Sequence, residues 1–256
     1  MNKPLFLAVL TAVLLQSCAF KKDILYFQDV AQLNGQAIER EASLIQPNDI
    51  LQITVGSLVP EAASPYNSFA TRNASAVVNS SEVLKLQGYL VTPAGTIEFP
   101  VLGTISVQDQ SVEAIETVIK KRLVDGGHLV NPTVSVRVLN AKVTVLGEVN
   151  RPGTYSFTEQ SLSIPQALGY AGDLTITGDR KEIVLIRESN GIRTVKKINL
   201  TQSNWMTDPA LQVRQNDVLV VNPNIQKIKT AGLVGNTGTI LTIASLLLST
   251  IILITR

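Results

Sequence analysis

Few residues of this sequence have the chemistry of a catalytic centre. Its 256 residues include one histidine, His128, in the glycine-containing stretch 126–128. A single loop histidine gives neither a metal cluster nor a histidine-centred proton relay much to build on. Glu148 and Glu159 can be imagined as an acid–base pair, but nothing in the pattern pairs them. Motifs for nucleotide binding or nucleophilic catalysis are absent as well, so we predict a protein that is not an enzyme and uses neither a cofactor nor a metal.

The first 17 residues have the layout of a secretory signal. Lys3 supplies a positive start, residues 5–15 form an apolar core, and Ser17 is a small residue near a cleavage point. The apolar run is too short to span a bilayer comfortably, since spanning takes about 20 residues. We therefore predict a signal peptide over residues 1–17.

The one cysteine, Cys18, stands where that signal would be cut. The segment Leu15-Gln16-Ser17-Cys18 resembles a bacterial lipobox. The resemblance implies acylation of the Cys18 sulfur and of its new amino group, and several acyl chains make a lasting membrane anchor. Ala19 follows instead of the aspartate that retains lipoproteins in the inner membrane of enteric bacteria, which favours the outer membrane. The alternative is an incidental or buried cysteine after an ordinary signal peptide.

Composition and charge point to a membrane rather than to nucleic acid. Apolar residues make up 45% of the chain, which excludes disorder, whereas charged residues make up only 16% against a usual share of about 25%. The net charge is +2, and the densest basic run, 120–122, is too short to attract a nucleic-acid backbone. Both ends carry long uncharged stretches, over residues 4–20 and 230–255.

The C-terminal stretch 231–254 is long enough to cross a membrane, because a helix of this length measures about 36 Å at 1.5 Å per residue. Small and weakly polar residues recur in it at spacings of three and four. Such a stripe lets helices pack closely in lipid or lines a hydrated surface, and the sequence leaves both open. A lone tail anchor is the alternative. The stripe comprises Ala231, Gly235, Gly238, Thr242, Ser245 and Ser249.

The middle of the chain reads as short strands separated by turns. Alternating apolar residues predict strands at 50–55, 88–91, 96–99, 134–138 and 143–146, and a hairpin of 183–187 with 192–198 around Asn190-Gly191. Residues 60–81 lack a strong period and are predicted to form a long loop.

Two helices are predicted between these strands. Ser111 is a plausible N-cap for the first, with Glu113 in its first turn and the basic run 120–122 in its last. The second runs from Ser163 to Ala171 and is closed by Gly172.

One internal similarity links two parts of the chain. Residues 46–53 and 214–221 share an Asn-Asp-apolar-Leu turn that leads into a strand. This repeat predicts two small β-rich domains that each contain the element. We expect Asp49 and Asp217 to cap these turns through backbone N–H groups rather than to act in catalysis.

The ordered motifs of this region resemble two domains of the Wza-type outer-membrane polysaccharide export lipoproteins. Residues 46–51, 96–103, 111–123 and 131–136 are similar to the polysaccharide biosynthesis/export domain. Residues 145–155 and 167–172 are similar to the soluble-ligand-binding β-grasp (SLBB) module that follows it. Asn48 and Asn216 stand where the family commonly has glycine, and asparagine also visits left-handed conformations.

The resulting prediction is an α+β protein with two small β-rich, β-grasp-like periplasmic domains and one C-terminal transmembrane helix. The expected divisions are a signal peptide at 1–17, a lipidated tether at 18–43, an export domain at 44–140, an SLBB domain at 141–228 and a spanning helix at 229–256.

The resemblance also implies a function. Family members form homo-oligomeric rings whose C-terminal helices make a barrel through the outer membrane, and capsular polysaccharide or exopolysaccharide leaves through it. The implied partners are an inner-membrane polysaccharide co-polymerase, often coupled to a tyrosine kinase, the polysaccharide itself and outer-membrane lipid. The alternative is a tethered periplasmic lipoprotein that binds a glycan or ligand without forming a pore.

Overall fold

A computed structural model describes residues 21–37, 41–67, 85–189 and 191–224, and the helical positions 238, 241, 242, 245, 246, 249, 250 and 253. Within those residues the chain forms two β-rich domains, each with a hydrophobic cluster of its own. One cluster runs from Ile45 to Leu129 and Val136, and the other from Ala141 to Val221. The prediction of an α+β fold with two such domains is confirmed.

The first domain is built on a small antiparallel sheet of order β2-β1-β5, with a separate hairpin of β3 and β4. Its central strand β1 has alternating burial, so that one face meets the core. The elements are β1 (Ile50–Gly56), α1 (Pro60–Ala63), β2 (Tyr89–Leu90), β3 (Thr96–Phe99), β4 (Gly103–Ser106), α2 (Val112–Asp125) and β5 (Thr133–Val138).

Helix α2 forms as its end residues predict. The Ser111 side chain accepts a hydrogen bond from the Ala114 N–H at 3.2 Å and so caps the first turn. The apolar face, which includes Ile115, Ile119 and Leu123, is fully buried in the first core. The prediction of this helix and its cap is confirmed.

The second domain is a five-stranded mixed sheet of order β7-β6-β10-β8-β9. Strand β10 lies in its middle, parallel to β6 and antiparallel to β8. The last strand of the domain therefore completes the sheet that the first one began. The elements are β6 (Lys142–Gly147), β7 (Gly153–Ser156), α3 (Ile164–Tyr170), β8 (Gly178–Ser189), β9 (Ile192–Ile198) and β10 (Val218–Pro223).

The second predicted helix is α3, and its start is a capping box. Ser163 accepts from the Gln166 N–H, and the Gln166 side chain accepts from the Ser163 N–H. Gly172 lies past the helix end at φ +74°, a left-handed conformation that glycine adopts without cost. The hairpin prediction is also confirmed, since Ser189 and Ile192 are paired across the turn.

The long loop predicted for residues 60–81 is wrong in its first part. Residues 60–63 form α1 with proline in its first turn, and a 3-10 turn follows at Ser64–Asn67. The Asn67 side chain then pairs with both backbone groups of Val55, at 2.9 and 2.7 Å. This side chain covers part of β1 as another strand would. Residues 68–81 of the predicted loop lie outside the described residues.

Most of the predicted spanning segment 229–256 also lies outside the described residues. In the part of the chain that the structure does describe, no helix combines the length and the apolar character needed to cross a membrane.

The junction of β6 and β10 requires glycine at position 147. Gly147 has φ +90°, and an added Cβ would lie 2.0 Å from the Val221 carbonyl oxygen. The next residue, Glu148, donates its N–H to that same oxygen at 2.9 Å, so the two strands cannot separate without losing a hydrogen bond.

We expect Gly147→Ala to lower the free energy of unfolding by about 3 kcal/mol or more, because it combines positive φ with a backbone clash. The matched control is Gly191→Ala, which also has positive φ but has no atom within 4 Å of the added Cβ. Its cost should be about 1 kcal/mol. Urea denaturation of the detergent-purified full chain, followed by circular dichroism, measures both. Equal losses of stability would contradict the steric explanation.

Candidate functional site at the domain junction

The two repeated Asn-Asp turns have the same geometry. Asn48 and Asn216 have φ values of +72° and +64°. The Asp49 carboxylate accepts from the Gln46 N–H at 2.7 Å, and Asp217 accepts from the Arg214 N–H at 2.7 Å. Both aspartates therefore cap their own turns, as the sequence predicts.

The second turn also holds the first domain in place. Gln215, which is buried, donates from Nε2 to the Asp49 carboxylate at 2.5 Å and to the Leu44 carbonyl at 3.3 Å. Beside it, the Arg214 guanidinium pairs with the Glu41 carboxylate at 2.5 Å. The two turns thus meet directly and join the domains through polar contacts.

Asp49 differs from Asp217 because it is a buried acid that pairs with no cationic side chain among the described residues. Its exposed fraction is 3%, and its hydrogen-bond donors are the Gln46 N–H and the Gln215 amide. Burial raises the pKa of Asp49 above its ordinary value, and the two hydrogen bonds oppose that rise.

Asp217 instead belongs to a buried ion pair. Arg187 on β8 donates from Nε and Nη2 to the two Asp217 oxygens at 2.9 and 2.7 Å, and the side chains are 12% and 1% exposed. Arg187 also donates to the carbonyls of Ala210 and Gln212 at 3.0 and 2.5 Å. This guanidinium therefore ties β8, β10 and the segment before β10 into one unit.

A cleft of about 590 Å³ lies between the domains. Its walls come from residues 41–44, 112, 113, 116, 135–138, 141, 157–161 and 215. Glu116 in this wall accepts from the Val136 N–H at 2.9 Å. That carboxylate covers part of the outer edge of β5, which would otherwise offer a backbone donor to another strand.

The carboxylates considered for catalysis have other partners. Glu148 accepts from the hydroxyls of Thr175 and Thr177 at 2.9 and 2.7 Å. Glu159 accepts from its own backbone N–H, from that of Thr158 and from the Tyr170 hydroxyl, and these hydrogen bonds lower its pKa. No sequence pattern pairs Glu148 with Glu159, and in the structure each carboxylate has its own hydrogen-bond donors.

The His128 ring lies 6.2 Å from the Tyr66 ring in an edge contact. Among the described residues no group of three or more histidine, cysteine, aspartate or glutamate side chains is placed to hold a metal.

The loop that follows Gly147 has a structural role that the sequence did not reveal. Asn150 donates from its side chain to the Gly172 carbonyl at 2.7 Å, and its N–H donates to the Asp173 carbonyl at 3.0 Å. The Arg151 N–H donates to the Ala171 carbonyl at 2.8 Å. These groups satisfy carbonyls just past the end of α3, so the loop and the helix form one structural unit.

A second feature that the sequence did not reveal is the position of residues 21–37, here called the N-terminal strap. The strap precedes the first domain but packs on the second one. Phe27 and Gln28 donate their N–H groups to the carbonyls of Leu200 and Thr201 at 3.0 and 2.9 Å. The Lys181 ammonium lies 2.7 Å from the Asp23 carboxylate, whose contact raises the Lys181 pKa.

Tyr26 fixes the strap from its other side. Its hydroxyl donates to the Asp173 carboxylate at 2.7 Å, and the Arg180 guanidinium lies over its ring at 5.1 Å. Burial raises the Tyr26 pKa, and the hydrogen bond to Asp173 raises it further. Tyr26 therefore stays protonated and keeps its hydroxyl as a donor.

The predicted lipidation site and the residues predicted to pack between helices or to line a pore are only partly described. Cys18 and Gly235 lie outside the described residues. Gly238, Thr242, Ser245 and Ser249 are helical and exposed. The three hydroxyls among them donate to carbonyls of their own helix at 2.8 to 2.9 Å. These small side chains therefore have their hydroxyl donors satisfied within the helix.

Comparison with known proteins agrees with this two-domain arrangement. The family described as polysaccharide biosynthesis/export protein matches residues 38–139, and the SLBB domain matches residues 141–221. The two matches follow each other in the order of the two hydrophobic cores. The chain therefore carries the two domains of a Wza-type polysaccharide export protein.

Two curated relatives support the assignment to this family. The chain is 28% identical over 207 residues to the EPS I polysaccharide export outer membrane protein EpsA of Ralstonia solanacearum, covering 76% of this chain and 51% of that protein. It is 31% identical over 147 residues to the EpsA protein of Ralstonia nicotianae, covering 56% of this chain and 38% of that protein. The chain thus spans about half the length of these relatives, or less.

We expect Arg187→Met to cost about 3 to 5 kcal/mol of stability, because it leaves the buried Asp217 carboxylate without its cation. The matched control is Arg193→Met, whose partner Glu188 and own side chain are 63% and 69% exposed. That change should cost less than about 1 kcal/mol. Chemical denaturation of the full chain measures both, and similar costs would show that the ion pair does not organise the SLBB domain.

The raised pKa of Asp49 predicts that the stability of the fold depends on pH, and a variant of this residue isolates its contribution. Because its folded pKa is raised, the folded state binds a proton more readily than the unfolded state, and Asp49 favours folding more as pH falls through the interval between the two pKa values. Asp49→Asn removes this effect. Wild type should therefore gain melting temperature relative to Asp49→Asn between about pH 7 and about pH 4. A constant difference across that range would contradict the raised pKa.

Proposed function

We propose that this chain is a subunit of an outer-membrane channel that exports a capsular or extracellular polysaccharide. The observation that carries the proposal is the ordered pair of an export domain and an SLBB domain on one chain. The similarity to relatives named as polysaccharide export outer membrane proteins supports it. In this proposal several copies form a closed ring, and their C-terminal helices form the barrel through which the polymer passes.

The transport is proposed to be passive. The candidate carboxylates Glu148 and Glu159 are held by hydroxyl and backbone donors, which suits a structural role better than proton transfer. The energy for export would come from an inner-membrane polysaccharide co-polymerase, often coupled to a tyrosine kinase in this family. The export domain would face that partner.

The N-terminal strap supports a definite orientation relative to the membrane. Its first described residue is Lys21, three positions after Cys18, so an acyl group on Cys18 would lie within about 10 Å of the strap. The strap is bound to the SLBB domain, and the C-terminal segment follows β10 of that same domain. Both proposed membrane attachments thus start from the SLBB domain, which we place next to the outer membrane.

The stripe supports the proposed helical barrel. Gly238, Thr242, Ser245 and Ser249 are spaced to lie on one helix face, and their hydroxyls already bond to carbonyls of their own helix. Such a face allows close approach of a neighbouring helix or contact with water in a pore. In either case a bulky residue would disturb it.

The second candidate is a tethered lipoprotein that binds a glycan without forming a pore. The cleft of about 590 Å³ between the domains favours it, because this volume is typical of small-molecule sites. The two functions differ in one physical requirement, since a channel needs a closed oligomer and a tether does not.

Native mass spectrometry of the detergent-extracted chain distinguishes the two functions. The full chain is compared with a variant truncated after Lys229. We expect one discrete high-order oligomer for the full chain and its loss on truncation. A monomer in both samples would contradict the channel and favour the tether.

Variants of the stripe test how the barrel forms. Gly238→Leu and Ser245→Leu should reduce both oligomer yield and surface polysaccharide by about ten-fold, because leucine prevents close approach at a packed or pore-facing position. Leu247→Ile keeps the apolar volume of the same segment and should change neither. Surface polysaccharide on cells complemented with each variant gives the second measurement. Normal export by both leucine variants would exclude a packing or conducting role for the stripe.

A further inference from the structure

The SLBB domain contains a second cavity, separate from the cleft at the junction. Its volume is about 390 Å³, which lies within the usual range of about 300 to 1,000 Å³ for small-molecule sites. Its walls come from residues 161–166, at the start of α3, and from residues 205–212, which precede β10. This cavity is called the Trp205 pocket below.

Trp205 is the most distinctive residue in this wall. It is the one tryptophan of the chain and is partly buried. Its indole N–H donates to the Gln202 carbonyl at 2.8 Å, and Phe27 of the strap packs on the ring at a centroid distance of 6.1 Å. The hydrogen bond and the Phe27 contact fix the orientation of the ring. The ring therefore offers the pocket an immobile apolar surface rather than a hydrogen-bond donor.

The other side chains of the pocket combine apolar area with uncharged or acidic polar groups. Leu211 and Met206 add apolar surface, while Gln166, Asp208 and Gln212 add amide and carboxylate groups. Lysine and arginine are absent from the described residues that line it. A pocket of this kind is unsuited to phosphate or another anion, which cationic side chains usually bind.

These features match the chemistry of a sugar ring. A pyranose has an apolar C–H face, which stacks on aromatic rings, and a rim of hydroxyls, each of which both donates and accepts hydrogen bonds. Amides and a carboxylate supply the complementary acceptors and donors. An acyl chain would fit the apolar wall but has no hydroxyls to match the amide and carboxylate groups beside it.

We infer that the Trp205 pocket binds a short, neutral segment of the polysaccharide, with one sugar ring stacked on Trp205 and its hydroxyls bonded to Asp208 and the two glutamines. This inference rests on the proposed export function and adds a contact site for the polymer on the SLBB domain.

Intrinsic fluorescence tests the inference directly, because Trp205 is the only tryptophan that contributes to the signal. The detergent-purified full chain is titrated with neutral oligosaccharides released by mild acid hydrolysis from the exopolysaccharide of the cells that produce it. We expect a saturable change in tryptophan emission and protection from iodide quenching. Calorimetric titration with the same oligosaccharides gives the affinity.

Two variants and one matched control locate the binding. Trp205→Leu removes the stacking surface and should weaken binding by about ten-fold or more. Asp208→Asn retains the oxygen that accepts from the Ala210 N–H but changes the group facing the sugar, and should weaken binding several-fold. The control, Tyr170→Leu, removes a partly buried aromatic ring of the same domain that lies outside the pocket and stacks on Tyr155. Its binding should equal that of wild type. Circular dichroism identifies any variant that fails to fold, and Asp208→Asn then carries the test.

The outcomes separate this inference from the proposed function. One outcome is that the purified wild-type chain binds no oligosaccharide although surface polysaccharide on the cells depends on the gene. That result would overturn the binding site in the Trp205 pocket and leave the export proposal intact. Equal affinity of wild type, Trp205→Leu and Asp208→Asn would also overturn it, as would binding of lauric acid in place of the oligosaccharides. Surface polysaccharide that persists after deletion of the gene would instead contradict the export function.

Discussion

The contact of the two Asn-Asp turns is the constraint on which the two-domain structure depends. One turn ends with Asp49 and the other contains Gln215, and the amide of the second donates to the carboxylate of the first. Each aspartate also caps its own turn, so the contact cannot rearrange without exposing backbone donors. A buried carboxylate without a cation is costly to desolvate, which makes the geometry around Asp49 narrowly defined. A few buried polar groups thus link the two domains directly.

Within the SLBB domain the same turn has a second partner, and this explains the mixed sheet. Asp217 pairs with Arg187, whose guanidinium also reaches two carbonyls of the segment that precedes β10. Strand β10 can then insert between β6 and β8, parallel to one and antiparallel to the other. Because β10 also borders Gly147, the close approach at that glycine and the ion pair act on the same strand. Strand β10, the last one along the chain, therefore joins the two halves of the sheet in this domain.

Local signals in the sequence predicted most of the elements that these contacts join. The cap at Ser111, the helix from Ser163 to Ala171, the hairpin at Asn190-Gly191 and the repeated turns each depend on neighbouring residues, so one sequence is enough to find them. The Trp205 pocket, the Arg187–Asp217 pair and the strap could not be predicted in this way. Their partners lie far apart along the chain, 147 residues in the case of Tyr26 and Asp173, and no spacing rule connects them. The short helix α1 was missed for another reason, since its stability comes from Asn67 and buried Tyr66 rather than from a helical period.

The strap also sets an order of events in biosynthesis. Tyr26 and Phe27 are synthesised early, but their partners Asp173, Leu200 and Thr201 come much later in the chain. Contacts of such separation form late in folding, because a long loop must close first. The strap therefore stays undocked while the export domain folds. Its docking requires a finished SLBB domain, so residues 21–37 are the first of the described residues to be synthesised and among the last to reach their final contacts.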